Sequence, residues 1–281
     1  MKSPLILIIV FIGLVIGGVY WMFEVKEKRE LSRPDDVEVV KTWELPNNLM
    51  EISGIAFVEE NRIACVQDEK GTIFIFNTSS SKIEKEIPFG KNGDYEGLTI
   101  VGNNIYVLRS DGTLFEIVDF QTNSTEPKVN EYDTEINEDV NLEGLCYDKS
   151  QNRLLLVMKE SDHENNAYKG VFEFDLATKK LNTSPVYKLN ENSEIEEKQK
   201  KFRPSEIGID PVSNKMYVLA AGNPKLIEFK NGKPTQIYTL NDRIFSQPEG
   251  LTFGSNGEIF ISNEGVPGKI FQVVLEKQSG Q

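Results

Sequence analysis

The chain has 281 residues, with 31 Lys and Arg against 44 Asp and Glu, a formal net charge of −13. That balance excludes the broad basic surface a nucleic-acid binder needs. One histidine (His163) and two cysteines (Cys65 and Cys146) leave almost no material for a zinc centre or a Ser-His-Asp triad.

Residues 4–23 carry no charge, and twenty such residues suffice to cross the hydrocarbon core, with Tyr20 and Trp21 where an interfacial aromatic sits. The stretch is too long for a signal-peptide core, and neither an Ala-x-Ala site nor a lipidation cysteine follows it. Residues 1–23 therefore read as a transmembrane signal anchor, which makes the membrane a partner. Lys26, Lys28 and Arg29 follow the span, so counting basic residues alone does not favour export. An N-terminal span behind a short leader nevertheless acts as an export signal, which puts the rest of the chain in the periplasm or otherwise outside the cytoplasm. Residues 24–36 end in Arg33-Pro34-Asp35-Asp36 and read as a linker.

The next segment, 37–45, alternates as a strand and has no neighbour to pair with in sequence. After it a phrase recurs five times: Glu51-Ile52-Ser53-Gly54-Ile55, Asp94-Tyr95-Glu96-Gly97-Leu98, Asn141-Leu142-Glu143-Gly144-Leu145, Arg203-Pro204-Ser205-Glu206-Ile207 and Gln247-Pro248-Glu249-Gly250-Leu251. Spacings along its glycine column (Glu206 in the fourth copy) are 43, 47, 62 and 44 residues, the period of propeller blades. Each copy parses into four short strands. In the second copy these are 98–101, 105–109, 113–118 and 128–133, separated by Gly102-Asn103-Asn104 and Ser110-Asp111-Gly112 turns. Cys65 and Cys146 fall in apolar runs of different blades, as small core residues. Two polar insertions, 160–170 and 190–201, depart from the repeat in the third blade and read as loops; the mixed-sign run 195–203 overlaps the end of the second. The fifth copy stops after three strands, so strand 37–45 is expected to complete it and close the ring. The expectation is an all-β, five-bladed propeller with four-stranded blades over residues 37–276, preceded by a transmembrane helix.

The phrase opens the innermost strand of each blade. Its acidic column reads Ser53, Glu96, Glu143, Ser205 and Glu249, with Glu206 one place on. Carboxylates aimed at one narrow axis repel each other unless protons, basic neighbours or a cation offset them. Hard oxygen ligands suit Ca2+, and the scarcity of His and Cys disfavours softer metals. Glu96, Glu143, Glu206 and Glu249 are thus the candidate metal ligands. Alternatively, the glutamates hydrogen-bond to neighbouring strand backbones and the glycines serve packing. Ends of the second strands bring Asp68, Arg109 with Asp111, Lys159 and Glu264 to the same face. Their mixed charge suggests a pocket for a small polar or anionic ligand, or a surface for a protein partner.

These phrases, with Phe202 preceding the fourth, resemble the SdiA-regulated (YjiK-like) bacterial proteins across residues 37–275. The resemblance implies a five-bladed propeller distantly related to NHL-repeat propellers, with a bound calcium ion. Related six-bladed propellers include metal-dependent lactonases that place a Glu where Glu96, Glu143 and Glu249 stand, but Ser53 and Ser205 depart from their Asn and Asp ligands. Two functional readings follow. One is a binding module built on a structural calcium. The other is a metal-dependent hydrolase (lactonase, esterase or phosphoesterase-like), with Asp68 or Glu264 as base and Arg109 or Lys159 as anion stabiliser.

Overall fold

Twenty short strands, apolar where both faces are covered and alternating where one is open, pack as five sheets in the computed structural model, which describes residues 36–122, 126–134, 136, 140–161, 168–189 and 202–276. The anchor, most of the linker, His163 and most of both insertions lie outside the described residues. Among the described residues no helix is long and apolar enough to cross a membrane.

After β1 (Val37–Glu44), the first blade is β2 (Ile52–Glu59), β3 (Arg62–Gln67), β4 (Thr72–Asn77) and β5 (Lys82–Pro88). The second is β6 (Tyr95–Val101), β7 (Asn104–Arg109), β8 (Leu114–Val118) and β9 (Lys128–Tyr132). The third is β10 (Val140–Asp148), β11 (Arg153–Ser161), β12 (Lys169–Asp175) and β13 (Lys180–Leu189). The fourth is β14 (Pro204–Ile209), β15 (Met216–Ala220), β16 (Lys225–Lys230) and β17 (Lys233–Thr239). The fifth holds β18 (Pro248–Phe253), β19 (Ile259–Asn263) and β20 (Lys269–Leu275), and β1 is its fourth strand. Pairing of β1 with β20 runs antiparallel from Val37 opposite Leu275 to Glu44 opposite Lys269. The ring therefore closes as the sequence predicts, and the edge of β20 is covered.

Burial explains the strand chemistry. Every residue of β15 and β19 is buried, because both faces of a blade's middle pack on neighbouring blades. Such strands read as unbroken apolar runs. The outermost β5 alternates between exposed and half-buried positions along most of its length. β13 is longer than the segment 185–189 suggests; in its first half, from Lys180, only Leu181 packs inward and the rest is polar and exposed, so it shows no hydrophobic alternation. The core is divided into five wedges, one at each blade seam. Ile73 and Ile75 pack towards the second blade, while Phe74 between them packs towards the fifth, as the two-residue period of a strand requires. Cys65 and Cys146 are buried free thiols in separate wedges. Burial raises both thiol pKa values.

The five innermost strands converge on the axis, and their glycine column is a close approach of backbones. A Cβ on Gly97 would lie 2.9 Å from the Leu145 nitrogen and 3.1 Å from the Glu143 oxygen of the next blade. Only glycine fits there.

Candidate functional site

Each innermost strand is irregular at the same place. The register against its neighbour slips between Ile52 and Ile55, Tyr95 and Gly97, Leu142 and Gly144, Pro204 and Glu206, and Pro248 and Leu251. The acidic column, Ser53, Glu96, Glu143, Ser205 and Glu249, falls within these five slips. A β-bulge inserts an unpaired residue and re-aims its side chain. Five bulges in register therefore turn one column of side chains towards a common region.

Glu96, Glu143 and Glu249 converge there around Lys159 of β11. The Lys159 Nζ lies 2.9 Å from Glu143 Oε1, and the Glu143 side chain is only 2 % exposed. Burial pulls the Lys159 pKa down, but Glu143, with Glu249 and Glu96 beyond it, outweighs that and leaves it above its usual value. Glu143 is raised by burial, against the pull of the Lys159 ammonium. Burial and the nearby Glu143 and Asp94 hold Glu96 far above the ordinary carboxylate range. Burial pushes Glu249 up to about 7, partly offset by Lys159.

Glu206 stands differently. It pairs opposite Leu219 as Gly97 pairs opposite Leu108 and Gly144 opposite Val157, so it occupies the glycine column rather than the bulge. Its side chain crosses the seam to the third blade, where Oε1 accepts hydrogen bonds from the backbone N–H of Leu145 at 2.7 Å and of Ile207 at 2.9 Å. The residue is fully buried, and its other oxygen, Oε2, has no partner. Burial drives its pKa well up, against those two N–H donors. Half of this carboxyl thus behaves as the packing alternative describes, and half is an orphaned acceptor.

Of the remaining sequence candidates, Asp68 and Glu264 border this group. Asp68 has an unpartnered buried Oδ1, and burial, then Glu51 and Glu69, push its pKa up to about 6. Glu264 accepts a hydrogen bond from Gln247 Nε2 at 3.0 Å and contributes to raising both Asp68 and Glu249. Arg109 is committed elsewhere: Nε donates to Asp111 Oδ2 at 2.9 Å and Nη2 to Thr113 Oγ1 at 2.9 Å, with the guanidinium over the Phe115 ring. Sequence reasoning missed Asp94, which acts on both Glu96 and Glu143; its place two residues before Glu96 in the repeated phrase was the available signal. It also missed Asn141, whose buried Oδ1 is unpartnered. Among the described residues no group of three His, Cys, Asp or Glu side chains is set to hold a metal; an ammonium stands among the carboxylates instead.

The architecture defines the class: a five-bladed, four-stranded propeller with an acidic cluster where its innermost strands converge. The chain belongs to the SdiA-regulated family, whose model matches residues 34–273. None of the curated proteins matches it. Among solved structures it resembles a glutaminyl cyclase of Myxococcus xanthus, at 14% identity over 85% of this chain and 96% of that one, with a TM-score of 0.60. It also resembles a PQQ-bound aldose sugar dehydrogenase of Streptomyces coelicolor, at 10% identity over 85% and 98% of the two chains, with a TM-score of 0.56. Likeness at that identity speaks for the propeller fold alone.

Proposed function

We propose that the protein is a membrane-anchored, extracytoplasmic binding module whose axial carboxylates hold a calcium ion, and that the face around the ion takes a small polar ligand or a protein partner. The observation that carries this reading is the imbalance of charge. Glu96, Glu143, Glu206 and Glu249 are gathered with Asp94 beside them, and Lys159 is the ammonium acting on Glu96, Glu143 and Glu249. The orphaned Oε2 of Glu206 supplies a further acceptor. Hard carboxylate oxygens with raised proton affinity are what a hard divalent cation takes in exchange for protons. Glu96, Glu143, Glu206 and Glu249 would hold the ion, and Lys159 is the counter-ion with which it competes. Bound there, calcium supplies a hard centre for oxygen atoms of a ligand. The acidic surroundings favour neutral hydroxylated or cationic ligands over anions. The anchor and its export orientation rest on the uncharged segment 4–23.

A hydrolytic use of the same face draws support from Asp68, whose pKa of about 6 suits a general base. Its two candidate anion stabilisers are already engaged, Arg109 by Asp111 and Lys159 by Glu143. Binding is therefore the better supported function.

Thermal unfolding tests the proposal. Chelation should lower the melting temperature and excess Ca2+ should restore it by binding linkage. Glu143→Gln should weaken that response. A chelator-insensitive protein whose Glu143→Gln variant is more stable than the parent overturns the calcium site.

A further inference from the structure

A second concavity lies at the seam where the ring closes, built by residues the axial site does not use. It has a volume of about 350 Å³ and opens between the fifth blade, including β1, and the first. Trp43, Phe57 and Phe260 form its floor. The Phe57 and Phe260 rings are 6.0 Å apart and 23° from parallel, and the Trp43 ring lies 6.2 Å from Phe260, tilted by 36°. Phe260 is buried, whereas Trp43 and Phe57 remain half-buried and line the open space.

The rim is polar and idle. Lys41, Glu60 and Asn61 are exposed and Gln272 is half-buried. Among the described residues none of these four side chains has a hydrogen-bond or ion-pair partner. A polar side chain placed at a blade seam for stability would be paired with the neighbouring blade, as Ser205 Oγ donates to the Pro248 oxygen at 2.8 Å.

We propose that this groove binds a neutral saccharide. A pyranose ring presents C–H faces and an edge dense with hydroxyls, which matches an aromatic floor inside a rim whose unpaired side chains are two amides, an ammonium and a carboxylate. One lysine against Glu60 and Glu258 gives no basis for holding a phosphate or carboxylate. A purely apolar ligand would leave the amides of Asn61 and Gln272 unused beside it. Trp43 and Phe57 supply the stacking surface, and Asn61 and Gln272 read the hydroxyls.

The sequence supplies a clean reporter, because Trp21 and Trp43 are its two tryptophans. In the full chain carrying Trp21→Phe, emission comes from Trp43 alone. Titration with glucose, galactose, N-acetylglucosamine and their disaccharides should give a saturable change for at least one of them. Gln272→Ala, and Asn61→Gly, which keeps the left-handed turn (φ 65°), should each weaken binding up to about tenfold, the worth of one or two hydrogen bonds. Glu249→Gln should leave it unchanged, which separates this site from the axial one. No saturable response to any of these sugars overturns the proposal, as does a response that survives both rim variants at full strength.

Discussion

Replacing Lys159 by Met removes the ammonium from Glu143 while keeping most of the side chain's length. Glu143 is then a buried side chain, 2 % exposed, with its cation gone. Breaking a buried pair from one side costs about 3–5 kcal/mol. Here the loss has a ceiling, because Glu143 can take up a proton instead. With an unfolded pKa of about 4.3, protonation costs about 3.7 kcal/mol at pH 7 and about 1.6 kcal/mol at pH 5.5. Lys159 is itself 30% exposed, so the net loss at pH 7 should be about 2–3 kcal/mol. For a domain of this size that lowers the melting temperature by about 5–10 °C. Differential scanning fluorimetry at the two pH values should show the deficit shrinking on acidification. It should shrink again with added Ca2+, which supplies the missing positive charge, and Lys159→Arg should retain most of the stability. A deficit equal at both pH values and indifferent to calcium would mean that Lys159 contributes only packing.

Other expectations follow from single elements. Deleting residues 1–46 should destabilise the propeller far more than deleting 1–34, because only the first removes β1 and opens the edge of β20; equal melting temperatures would contradict the closure. Gly97→Ala should cost about 1–3 kcal/mol in denaturant unfolding, since its Cβ would meet backbone atoms that cannot yield. Glu116 accepts hydrogen bonds from Tyr106, Tyr132, Asn104 and Asn130 and is joined by Lys179 from the third blade. Against the opposing effect of burial, those donors pull its pKa down to about 2. A folded value below the unfolded one means the stabilisation is whole above about pH 4.3 and is lost as pH falls towards 2. Glu116→Gln should therefore flatten the acid limb of the stability curve by about 2 kcal/mol, and an unchanged limb would refute the clasp.

Much of the fold was legible because it repeats. Each phrase from Glu51 to Leu251 marks an innermost strand, and the three-strand fifth copy pointed to segment 37–45 as its closure. Glu206 was already visible one place out of column, and the register confirms that it replaces a glycine. The bulges were not legible: a one-residue slip at Glu96 or Glu143 leaves composition and spacing unchanged. Lys159 was read as an anion stabiliser, because sequence shows which strand carries it but not that its long side chain reaches the buried Glu143. The Glu116 clasp was hidden for a similar reason, since its donors come from β7, β9 and the turn after β12. The seam groove escaped notice because its rim and floor are drawn from the first and last blades.

The most direct measurement is isothermal titration of Ca2+ into chelator-stripped protein beside the Glu143→Gln and Glu249→Gln variants. The parent should bind one ion per chain, and binding should weaken at least tenfold in each variant, a loss of about 1.4 kcal/mol or more. Absence of binding to the parent, or equal binding by all three proteins, would contradict it.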